Sequence, residues 1–240
     1  MRLIRELIGD VRTRYPRDSF FSDFQQSCQI SELKLRYYKT YDNAFRALDD
    51  CSWKVLKSKA LDHFMDHRKG QLKQGFFNQL NEAFAYRHLL RQGYLSVRIL
   101  RETGQKTPDI EFRERRLIRY CEVKTIGISD QEIERRESIQ SFGGDIYMRL
   151  NPGFFNKFKC VLDQASQQLS IKGSHGLIFV VMLNDDIALD YYSDYRRQIQ
   201  AYCYQKGVHD LYIKVGLRGS KRIPITSQSS RRGDGLASRF

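Results

Sequence analysis

Two short segments carry residue types that can do chemistry together: Thr107-Pro108-Asp109-Ile110-Glu111-Phe112 and Tyr120-Cys121-Glu122-Val123-Lys124-Thr125. Both read as strands, and the polar stretch 113–116 between them predicts a tight hairpin. Side chains alternate across a strand, so Glu122 and Lys124 share one face while Cys121, Val123 and Thr125 take the other. Asp109, opening the partner strand, can reach the Glu122 face. Two carboxylates side by side repel unless a cation joins them, and an all-oxygen ligand set suits Mg2+, with Mn2+ able to substitute. Such an ion can lower the pKa of a bound water and offset charge on a phosphodiester transition state. Lys124 would orient that water or stabilise the developing negative charge, and the backbone carbonyl of Val123 can add a ligand. A third acid, Glu82, falls in a helix predicted over 74–91. That helix directly precedes the sheet and can place one carboxylate at the strand ends, completing the first metal site or supplying part of a second.

These residues need a frame, and the chain predicts one in three zones. Residues 1–70 read as helical: Leu3, Ile4, Leu7, Ile8 and Val11 recur at three- and four-residue spacing, and Ala44, Leu48, Trp53, Leu56 and Leu61 continue it. Within this zone, residues 34–41 (KLRYYKTY) mix cations with rings. Such a stretch can lie on nucleic acid or form a helix that buries its tyrosines while its lysines face water. Residues 71–216 alternate helix and strand: a helix over 74–91 stopped by Gly93, strands over 95–100, 109–112 and 117–125, and a helix over 155–171 stopped by Gly173. A strand over 177–183, a helix over 191–206 and a strand over 210–215 follow. The order α-β-β-β-α-β, extended by a further helix and strand, predicts an α/β fold with a mixed sheet flanked by helices. Residues 217–240 are rich in Arg, Ser and Gly, and predict a flexible basic tail.

Composition narrows the function classes. With 41 Lys and Arg against 28 Asp and Glu the net charge is +13, which favours a polyanionic partner. No apolar run reaches membrane-spanning length and the N-terminus lacks an apolar signal core, so the expectation is a cytoplasmic protein without membrane contact. Five dispersed cysteines lack C-x-x-C spacing, arguing against a zinc ribbon or a disulfide framework. His63 and His67 have zinc-compatible spacing on a helix but no evident third ligand, and read as a polar helix face. Neither a nucleophile elbow nor a P-loop nor a dinucleotide glycine motif is present, so acyl transfer, nucleotide hydrolysis and hydride transfer lack support. The polar stretch 126–153 lies beside the candidate site, and Arg135, Arg136 and Arg149 in it are candidate phosphate contacts.

The combination of Glu82 on the leading helix, Pro108-Asp109 on the second strand and Glu122-Val123-Lys124 on the third resembles the PD-(D/E)xK nuclease superfamily, the restriction-endonuclease-like fold, over roughly residues 75–183. The resemblance implies a Mg2+-dependent nuclease in which Asp109 and Glu122 bind the metal, Glu82 is an accessory ligand and Lys124 is the catalytic lysine. It also implies water-mediated hydrolysis leaving a 5′-phosphate. The helix bearing Asp163-Gln164-Ala165-Ser166-Gln167-Gln168 is similar to the glutamine-bearing helix of several branches, where Gln164 or Gln168 would touch the metal-bound water or the substrate backbone. DNA is the expected substrate, with RNA cleavage by the same fold or a noncatalytic nucleic-acid-binding module as alternatives. The helical N-terminal extension would grip nucleic acid or pair two chains in a homodimer.

Overall fold

The computed structural model describes residues 1–67, 72–103, 107–127, 133–134, 138, 148–173, 176–182, 190–216 and 222–225. The chain opens with four helices, α1 (Arg2–Arg14), α2 (Phe24–Ile30), α3 (Glu32–Phe45) and α4 (Asp50–Asp62), followed by α5 (Gln74–Leu80) and α6 (Glu82–Arg91). Strands β1 (Leu95–Ile99), β2 (Ile110–Glu114) and β3 (Leu117–Ile126) come next. Then α7 (Pro152–Ser170), β4 (Leu177–Met182), α8 (Tyr192–Gln205), β5 (Leu211–Val215) and β6 (Arg222–Ile225) complete the described elements. The strands form a six-stranded mixed sheet in sequence order, β1-β2-β3-β4-β5-β6. β1, β2 and β3 pair antiparallel, β3, β4 and β5 pair parallel, and β6 returns antiparallel to β5. The fold is therefore α/β, a mixed sheet packed with helices.

Strand alternation explains how the sheet is covered. In β4, Phe179 and Val181 belong to the core formed with α1–α6, whereas Ile178, Val180 and Met182 belong to the core formed with α7 and α8. A strand buried on both faces must be apolar at every position, which is why 177–182 reads LIFVVM. In β3 the same alternation sends Cys121 and Val123 to the α1–α6 layer and Tyr120 and Ile126 to the α7–α8 layer. Glu122 and Lys124 stand between Tyr120 and Ile126 on that second face.

At three places the structure adds to or departs from the expected elements. The helix predicted over 74–91 is stepped at Asn81. Its backbone N–H is shared between the Phe77 and Asn78 carbonyls, and the Phe84 N–H bonds the Asn81 carbonyl at three-residue spacing, which tightens the turn. The cause is lateral: Asn81, fully buried, accepts from the Tyr41 hydroxyl at 3.0 Å and donates to Thr125 Oγ1 at 2.9 Å, tying α3, the helix step and the end of β3 together. The N-terminal helices, set apart at residue 70 by sequence, do not build a core of their own. Ile4, Leu7, Tyr41, Phe45 and Leu56 pack in one cluster with Phe76, Leu80 and Phe84 and with Ile110, Phe112 and Phe179 of the sheet. Finally, part of the expected tail is the edge strand β6, whose Ile223 is buried opposite Ile213. A Gly- and Arg-rich surrounding hid a four-residue segment that needs only alternate apolar positions to pair. Residues 226–240 lie outside the described residues.

Two local expectations hold. Gly93 (φ 81°) and Gly173 (φ 64°) follow α6 and α7 in the left-handed conformation that glycine adopts without strain. The rings of Tyr37, Tyr38 and Tyr41 on α3 turn inward against Phe21, Phe24, Phe77 and Phe84, so that helix buries its aromatics. Among the described residues no helix is long and apolar enough to cross a membrane, and all five cysteines are free.

Candidate functional site

Asp109 sits one residue before β2, and the β2–β3 register pairs Ile110 with Cys121. Continuing that register places Asp109 opposite Glu122, and directly opposed residues of an antiparallel pair project to the same face. Asp109 Oδ2 accepts the backbone N–H of Val123 at 2.7 Å, which fixes its carboxylate at the mouth of the hairpin. The residue opposite Val123 in the same register is Pro108. Proline has no N–H, so the β2 backbone offers the Val123 carbonyl no ladder donor. The proline that marked the motif thus withdraws one ladder donor beside two carboxylates.

Glu122 is 1% exposed although it is a carboxylate. One of its oxygens, Oε1, pairs with Lys124 Nζ at 2.8 Å, and the other, Oε2, is buried without a hydrogen-bond partner among the described residues. Burial pushes its carboxyl up to about 8; the neighbouring Asp109 adds to the rise, and the Lys124 and Lys59 ammonium groups oppose it. Lys124 also donates to Gln168 Oε1 on α7 at 2.5 Å. Strand and helix therefore hold the ammonium from two sides. Gln164, one turn earlier, is exposed.

A residue the sequence reading did not single out lies on the other side of Asp109. Lys59 of α4 is 4% exposed, and its Nζ stands 2.5 Å from Glu82 Oε1, 3.5 Å from Asp109 Oδ1 and 3.9 Å from Glu102 Oε1. Burial works against its charge, but Glu82, Asp109 and Glu102 outweigh that and hold its pKa above the ordinary lysine value. Glu82 is fully enclosed. Burial drives its carboxyl well above the usual carboxylate range, Lys59 pulls the other way, and Asp109 adds to the rise. Its Oε2 is also buried without a partner among the described residues. The signal for Lys59 was present, since it falls on the stripe of α4 that buries Trp53, Leu56 and Ala60, where a lysine is out of place unless paired.

The expected residues are thus gathered in a particular way. By continuation of the register Asp109 lies across from Glu122, which holds Lys124 with Gln168 on its far side, while Glu82 joins Asp109 through the Lys59 ammonium. Glu102 links this cluster to His63, whose Nε2 is 2.9 Å from Glu102 Oε2 and whose Nδ1 is 2.6 Å from Asp66 Oδ2. His67 instead takes the backbone N–H of Lys73, so the two histidines do not converge. Among the described residues no three His, Cys, Asp or Glu side chains stand close enough to hold a metal ion by themselves. Asp109, Glu122 and the Val123 carbonyl are the donors that fit a hard cation, and the unpartnered Glu122 Oε2 is the observation that supports the fit. Mg2+ accepts such a sparse protein set because it keeps several waters. Arg149 is exposed just ahead of α7, with no contact tying it to the carboxylates among the described residues, and Arg135 and Arg136 lie outside the described residues.

The burial of Glu122 has a measurable consequence without metal. The folded protein holds that proton to about pH 8, whereas an ordinary glutamate releases it near 4.5. The folded-state pKa is raised, so the stabilisation is complete in acid and is lost as the pH climbs between those values. The melting temperature of metal-free protein minus that of Glu122→Gln is expected to fall from pH 5 to pH 8. A difference that rises with pH would contradict the buried, protonated carboxyl.

A scan against protein-family models, a search of curated proteins and a search of solved structures each returned no match.

Proposed function

We propose that this chain is a Mg2+-dependent nuclease with a restriction-endonuclease-like core, acting on DNA. The observation that carries the reading is the Asp109–Glu122 pair, opposed across the hairpin mouth with an unpartnered buried carboxylate oxygen and with Lys124 fixed alongside. The succession α6-β1-β2-β3-α7-β4 supports the fold reading, because it sets the helix bearing Glu82, the strand opening at Asp109 and the strand bearing Glu122 and Lys124 in the order the resemblance implies.

Asp109, Glu122 and the Val123 carbonyl would hold the ion. Bound there, Mg2+ would acidify a water and offset negative charge on the phosphorane-like transition state. Lys124 contributes through position: Glu122 and Gln168 restrain its ammonium, so it can orient the attacking water or meet developing charge without reorganising. Gln168 acts through Lys124. The excess of 13 positive charges draws a polyanion towards a site whose own side chains are acidic.

Incubation with duplex, single-stranded and branched DNA and with RNA, in Mg2+, Mn2+ or EDTA, tests this directly. DNA cleavage that needs the divalent ion and stops in EDTA is expected. Cleavage of RNA alone would move the substrate, and binding without cleavage of any nucleic acid would overturn the enzymatic reading in favour of a binding module.

A further inference from the structure

We propose that the Lys59 ammonium is a built-in second cation of this site, so that the chain takes a single divalent ion at Asp109 and Glu122 and has no second metal position. This inference rests on the nuclease reading and deepens it.

Two-metal phosphodiesterases set their ions about 3.5–4 Å apart, with a carboxylate bridging them. Asp109 is placed as that bridge. Its Oδ2 is turned to the Val123 N–H on the side where Glu122 lies, and its Oδ1 is 3.5 Å from Lys59 Nζ. The position a second ion would take, between Asp109 and Glu82, is filled by an ammonium 2.5 Å from Glu82 and shut off from solvent. A divalent ion entering there would have to expel a buried lysine head group and leave it without its carboxylates, and breaking a buried pair in this way is strongly destabilising. Lysine also fits where a second metal would not. A strongly hydrated dication needs six near-octahedral ligands, whereas the ammonium is held here by one hydrogen bond to Glu82 and by the charges of Asp109 and Glu102 within 4 Å. The arrangement makes Lys59 a positioning residue: it stands 3.5 Å from Asp109 Oδ1, occupies the space between Asp109 and Glu82, and never meets the substrate.

Mn2+ binding to the whole chain, followed by isothermal titration and by electron paramagnetic resonance of free and bound ion, tests this apart from catalysis. The native protein is expected to take one Mn2+ with no spin coupling between ions, and Lys59→Arg to do the same. Lys59→Gln should take a second ion and show coupled spins. Since Lys59→Gln can fail to fold, Lys59→Met combined with Glu82→Leu replaces the whole pair by apolar groups. That variant should keep its one ion with less than the ~10-fold affinity loss that follows removal of a supporting partner. Two ions in the native protein, one ion in folded Lys59→Gln, or loss of the ion in the double variant would each overturn the proposal. Absence of any Mn2+ binding to native protein would instead overturn the nuclease reading beneath it.

Discussion

Asp109→Asn is expected to lower DNA cleavage at saturating Mg2+ by roughly a hundred- to a thousandfold, the scale set by removing one preorganised electrostatic contact from a site that has few. Asparagine keeps an oxygen that can accept the Val123 N–H, so the hairpin mouth stays closed and the loss belongs to the missing charge. Binding separates this outcome from unfolding. In EDTA the removed charge is negative and lies where a polyanion would approach, so DNA affinity should be unchanged or somewhat tighter. Lys124→Ala should lose cleavage on the same scale. It also frees Glu122 from its only ion-pair partner within 4 Å among the described residues, so its Mn2+ binding should persist. Gel-based cleavage rates and fluorescence anisotropy with a labelled duplex supply both readouts. Full cleavage by Asp109→Asn would remove the proposed metal site, and parallel loss of DNA binding would point to a structural role instead.

The second large effect concerns stability. Lys59→Ala leaves Glu82 buried beside Asp109 with no ammonium between them, and stranding one member of a buried pair costs about 3–5 kcal/mol. For a chain of this size about 1 kcal/mol moves the melting temperature by roughly 2–4 °C, so a fall on the order of 10 °C is expected. Replacing both partners, with Lys59→Met and Glu82→Leu, should recover most of it, because two apolar side chains in a buried space leave no charge unpaired. Thermal unfolding followed by circular dichroism measures all three proteins. A Lys59→Ala chain as stable as the native one would show that Lys59 is not held as the geometry describes, and a double variant no better than the single one would show that packing, not charge, decides the loss.

Much of the site was legible along the chain because its pieces are local. Glu122, Val123 and Lys124 are consecutive, and a strand's two-residue repeat alone puts the acid and the lysine on one face. Pro108-Asp109 lies one tight turn away, so hairpin pairing brings Asp109 opposite Glu122 with little freedom to do otherwise. Gln168 was named for its place on a helix after the third strand, and it does reach Lys124, because α7 returns over the β3–β4 pair. The step at Asn81 was not legible, since it is imposed by Tyr41 and Thr125, 40 residues before it and 44 after it. The strand β6 escaped for a related reason: four residues carry too short an alternation to be distinguished from a tail until β5 offers its edge.

The amino-acid order alone settled the α/β succession, the shared face of Glu122 and Lys124 and the nearness of Asp109, because periodicity and a short turn fix relations among neighbours. Only the tertiary structure decided that Glu82 meets a lysine before it meets a metal, and that the N-terminal helices line the same core as the sheet. Both depend on contacts between residues 23 or more positions apart. Whether a buried acid is left open or neutralised is set by which distant side chain burial brings to it, and no local pattern records that choice.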